Sequence, residues 1–171
     1  MELLSLLLFL CILLCAIKDW HKALLFWAPA SILFQPYMCI RYQSPALSLT
    51  LAVQVLFVSL YVVHGRKAKF DSFPLKSAFI LLFLSHTIGL FVSPMSTASL
   101  LPWLFSNLLS YIFVVFYFNE LKTKSDIMLS LNGLLSAFFI LSAYFLFEFV
   151  TQGNPLISYL FDLLPFENGW V

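Results

Sequence analysis

From Ile127 to Val150 run 24 residues in which Glu148 is the single charged side chain. Coiled as a helix at about 1.5 Å per residue, this stretch measures about 36 Å, enough to cross a hydrocarbon core of about 30 Å. A run of that length must be either buried in a large core or covered by lipid. The rest of the chain decides between the two. Hydrophobic residues make up 62% of it and charged residues only 10%, against about 25% charged in an ordinary soluble domain. So few charges cannot cover a water-facing surface, and lipid is the expected solvent. The net charge of +1 gives no basis for a nucleic-acid partner.

Five further apolar runs precede this one. They are Leu3–Ile17, Ala23–Ile40, Leu47–Val63, Ser77–Val92 and Leu100–Phe118. Together the runs predict an all-α fold: a polytopic integral membrane helical bundle of about six transmembrane helices. Pro29 and Pro36 predict a kinked or partly broken second helix. Pro102 is expected in the first turn of the fifth, where proline is tolerated. The predicted bundle covers residues 1–150, and residues 151–171 begin an extracytoplasmic loop.

Basic residues alternate between the connecting segments. Lys18 and Lys22 follow the first run, Arg66, Lys67, Lys69 and Lys76 the third, and Lys122 and Lys124 the fifth. The opposite side holds only Arg41. The excess of cytoplasmic Lys and Arg in membrane proteins then puts the first, third and fifth segments inside and both termini outside. Trp20, Trp27 and Trp103 fall near the expected boundaries, where aromatic belts form. Met1-Glu2 lacks the basic start of a secretory signal, so the first run is expected to stay.

Inside the runs the polar residues are neutral: Gln35, Gln54, His86, Asn107 and Asn132. Hydrogen bonding between helices is the expected role of each. All carboxylates other than Glu148 are expected outside the spans, Glu120 among them. A proton-coupled pump needs intramembrane charge, which disfavours that class. Cys11, Cys15 and Cys39 are expected to be buried, inert thiols. No metal-ligand spacing, phosphate-binding loop or nucleophile elbow is present, so no cofactor, metal or catalytic residue is expected within the chain.

Two residues stand out on the outer side. Glu148 is either an interfacial carboxylate reaching water or a polar group facing a cavity in the outer leaflet. Arg41 is either a headgroup anchor or a ligand for phosphate, which guanidinium suits. Beyond them, Asn154 is a natural N-cap with Pro155 at the first helical position, and Pro165 ends the following stretch. A short surface helix is expected there.

The Glu148-x4-Gly153-Asn154-Pro155 junction resembles the segment leading into the large periplasmic loop of the O-antigen ligase and polymerase superfamily. Gly89-Leu90-Phe91-Val92-Ser93, the spacing of short Phe/Leu-rich spans, and Gly169-Trp170-Val171 are similar to that family as well. The resemblance implies a metal-independent glycosyl-transferring ligase or polymerase acting on undecaprenyl-pyrophosphate-linked glycans. In that family the catalytic arginines and histidine lie in or beside the large loop. This chain would then be an N-terminal membrane portion, incomplete and not catalytic alone, with Glu148, Asn154 and Arg41 bordering a substrate groove. Two rivals remain: a non-enzymatic membrane scaffold or assembly partner, and a carrier or flippase subunit.

Overall fold

Short polar signals set where the helices start. Asp19 has extended backbone and its carboxylate accepts from the backbone N–H of Lys22, capping the helix that starts at Trp20. The Ser48 hydroxyl does the same through Leu51 N–H for the helix that starts at Leu49. Thr123 and Asp126 form a reciprocal capping box for the helix that starts at Lys124. The computed structural model describes residues 2–34, 38–41, 47–70, 73, 76–92 and 97–153. It is mostly helical: α1 (Glu2–Lys18), α2 (Trp20–Ala30), α3 (Leu49–Val63), α4 (Lys76–Val92), α5 (Thr97–Glu120) and α6 (Lys124–Thr151).

The second apolar run departs from the expected helix. α2 stops at Ala30, a 3-10 turn covers Ser31–Leu33, and the chain then enters β1 (Cys39–Arg41). β1 pairs antiparallel with β2 (Leu47–Ser48), which the runs did not foretell. Pro29 has no N–H to donate within the helix, so the last turn of α2 is weakened. Pro102 also differs from expectation. α5 begins at Thr97, so the proline lies inside the helix and not in its first turn.

The core is formed where α1, α2 and α3 meet, with Phe113 from α5; Ile12, Leu24, Leu49, Val53 and Phe57 are all buried in it. α2 and α6 lie side by side in the same direction. Gly133 on α6 makes this approach possible, because a Cβ there would collide with the carbonyl oxygen of Phe26. Ser130 and Ala137 continue the same buried stripe of small residues.

Much of the remaining surface of the described helices is apolar. Leu14, Val63, Phe139 and Phe149 are among the large side chains that point outward. Two helices, Pro102–Glu120 and Lys124–Thr151, are long and apolar enough to cross a membrane, and each buries only 11% of its apolar window. The core helix of a soluble protein would be mostly buried. α1, α3 and α4 are shorter, at 17, 15 and 17 residues. Cys11 and Cys15, expected to be buried, are exposed on α1, while Cys39 is buried. Neighbouring helices cover only one side of α1, and both thiols lie on the other.

Candidate functional site

The ends of α1, α3 and α5 converge, and the turns that follow them share one polar knot. At its centre is Glu120, expected outside the spans but found as the last residue of α5 with its side chain 2% exposed. His21 Nε2 lies 3.3 Å from Oε2 of Glu120 and 3.4 Å from its carbonyl oxygen. The angle to Oε2 is not that of a hydrogen bond, and among the described residues this oxygen has no hydrogen-bonding partner. The His21 contact is therefore charge attraction when the ring is protonated. Arg66 Nε and Lys122 Nζ each lie 3.9 Å from Oε1. These distances are long for charge-assisted hydrogen bonds, which cluster near 2.8 Å, so Glu120 is balanced by surrounding cations and not clamped by one.

Aromatic rings brace the knot. Trp20 stacks on His64 with centroids 4.9 Å apart, meets Tyr61 edge-on at 6.3 Å, and lies 5.7 Å below the Arg66 guanidinium. Gly65 has φ +62, a left-handed turn that suits glycine and redirects the chain after α3. His64 Nδ1 donates to the Leu60 carbonyl at 2.8 Å. The segment beyond is tied to α5: Lys69 N–H donates to Asn119 Oδ1 at 2.8 Å. Asn119 Nδ2 in turn donates to the Lys69 and Val115 carbonyls.

Beside this knot opens a cavity of about 460 Å³ whose walls include Arg66, Lys67, Lys69 and Lys122, with Glu120 as the acidic member. A second cavity, about 300 Å³, lies between α4 and α5 and is lined by Phe79, Phe83, Leu108, Ile112 and Phe116, among other apolar side chains. Tyr61, which borders the polar cavity, stacks on Phe116, which borders the apolar one, with 4.1 Å between centroids, so the two linings touch. The polar cavity suits an anion. Among the described residues no group of three or more His, Cys, Asp or Glu converges as metal ligands would.

The residues singled out in the sequence lie elsewhere. Glu148 sits half-buried in the last turns of α6, with Thr151 Oγ1 donating to its carbonyl at 3.4 Å. Arg41 closes β1. Asn154, the expected surface helix after it and Gln35 lie outside the described residues. Of the neutral polar residues, Ser110 Oγ donates to Gln54 Oε1 at 3.1 Å, joining α5 to α3. His86 Nδ1 lies 3.4 Å from the Tyr111 hydroxyl across α4 and α5. Asn107 does not bridge helices as expected. Its amide donates to the Trp103 carbonyl one turn back, satisfying itself within α5. Asn132 is exposed on α6. Glu120 is the residue that sequence reasoning missed; its one signal was an acidic side chain placed among the basic residues between two long runs. Comparison with protein-family models, with curated proteins and with solved structures gives no match.

Proposed function

We propose that the chain is a six-span bacterial inner-membrane bundle with both termini outside, forming the N-terminal membrane portion of an O-antigen-ligase-like or polymerase-like protein. In that role it builds the wall of an export-side groove for an undecaprenyl-pyrophosphate-linked glycan. The bond-forming residues lie outside this chain. The observation that carries the membrane assignment is the outward-facing apolar surface of α5 and α6, which bury so little of their length. The glycan assignment is supported by the resemblance around Glu148 and Gly153. It is also supported by the course of α6, which starts beside the basic knot and carries Glu148 about 36 Å from Lys124, at 1.5 Å per residue. In this reading Glu148 and Arg41 border the groove.

The test is glycan analysis of a deletion strain complemented with the full-length protein. Glu148→Gln and Arg41→Ala are expected to shorten the polymer or lower its yield. Wild-type polymer from both variants would refute the groove. A second reading, a non-enzymatic membrane scaffold, is favoured by a sequence without metal-ligand, phosphate-loop or nucleophile-elbow spacing. It predicts that these variants are silent while the deletion still alters the glycan.

A further inference from the structure

We propose that the basic end of the bundle holds a site for an anionic phospholipid. Its phosphate occupies the cavity walled by Arg66, Lys67, Lys69 and Lys122, and one acyl chain lies in the groove between α4 and α5. The proposal rests on the lipid-embedded part of the function above and is independent of its glycan part.

Charge supplies the first argument. Four cationic side chains border the cavity against one carboxylate, and that carboxylate already has His21, Arg66 and Lys122 within 4 Å. Among the described residues the lining is therefore net positive, in a place where low-dielectric walls strengthen the field. Pre-organisation supplies the second. Arg66 is held over the Trp20 ring, and the Lys69 backbone is fastened to Asn119 in both directions. The cations are thus mounted on fixed backbone, and an anion binds without first ordering a loop.

The adjoining groove identifies the anion as the head of an amphiphile. Its walls are almost entirely carbon, and its lining touches that of the cavity. Tyr61 of the cavity stacks on Phe116 of the groove, and Lys69 of the cavity is followed in the chain by Phe70 of the groove. A cationic chamber and an apolar slot with adjoining linings match a phosphate joined to an acyl chain. Free phosphate would leave the slot without a ligand.

The experiment uses the full chain in neutral detergent micelles, titrated with phosphatidylglycerol, with phosphatidylcholine of the same acyl chains, and with glycerol 3-phosphate. Phosphatidylglycerol is expected to bind most tightly. Lys67→Gln and Lys69→Gln are expected to weaken it about fivefold each, the usual effect of one basic side chain near an anionic lipid surface. Both side chains are exposed, so folding is preserved. Leu108→Trp, which fills the groove, is expected to weaken the lipid and leave glycerol 3-phosphate unchanged. Lys18→Gln, at the same end but outside the cavity, is expected to have no effect. Equal binding of the two lipids would overturn the proposal. So would glycerol 3-phosphate binding as tightly as phosphatidylglycerol, or an equal loss in Lys18→Gln. Carbonate extraction of membranes separates the two levels. Release of the chain refutes the membrane assignment, whereas retention without lipid preference refutes the site alone.

Discussion

Replacing Gly133 by alanine sets two opposing effects against each other in α6. In an open helix interior, alanine is favoured over glycine by about 0.5–1 kcal/mol, because glycine loses more backbone freedom. At Gly133 the new Cβ meets the carbonyl oxygen of Phe26, with the Phe26 carbonyl carbon 3.1 Å and Cα 3.2 Å away. These are backbone atoms of α2, so no rotamer change relieves the contact and the two helices must move apart. Overpacking of this kind costs about 1–3 kcal/mol, and the rigidity of the obstacle puts this case near the upper end. The net expectation is a loss of about 1–2 kcal/mol. Unfolding in mixed micelles followed by tryptophan fluorescence measures it, since Trp20 and Trp27 both report from α2. Gly89→Ala in α4 is the control: nothing lies within 4 Å of its added Cβ, so that variant is expected to match or exceed wild type. If Gly133→Ala behaves like Gly89→Ala, the close approach of α2 and α6 is wrong.

Two further outcomes concern the basic end. Glu120→Gln leaves His21, Arg66 and Lys122 facing one another without their carboxylate. The partners are partly exposed, at 29%, 46% and 57%, so screening reduces the expected loss to about 1 kcal/mol in the same unfolding assay; a variant more stable than wild type would show that burying the Glu120 charge costs more than its cations return. The Asp19 carboxyl is held below its ordinary value, chiefly by the Lys22 backbone N–H and then by the Lys22 side chain. A carboxylate lowered on folding stabilises above its unfolded value, near about 3.9, and that contribution fades as pH falls through the folded value. Between pH 5 and 3, wild type is expected to lose about 0.5 kcal/mol more than Asp19→Asn, the capping effect discounted for exposure. Parallel pH profiles for the two proteins would refute a charged cap on α2.

The sequence by itself determined that the chain is helical and that its outer surface is apolar, because both follow from composition summed along each run. Local signals were equally direct: Asp19, Ser48 and Thr123 cap the helices that follow them. Which sides of the helices touch was another matter. A helix that is apolar all round carries no stripe to mark its buried face. Gly133 and Phe26 are therefore revealed as partners only once α2 and α6 lie together. Glu120 was hidden for the same reason. Its burial depends on His21, 99 residues earlier, and on the turn after α3, none of which any pattern around Glu120 reports. The tertiary structure alone decided that the basic residues of three separate segments surround one buried carboxylate, because whether a charge is buried is set by what distant segments bring to it.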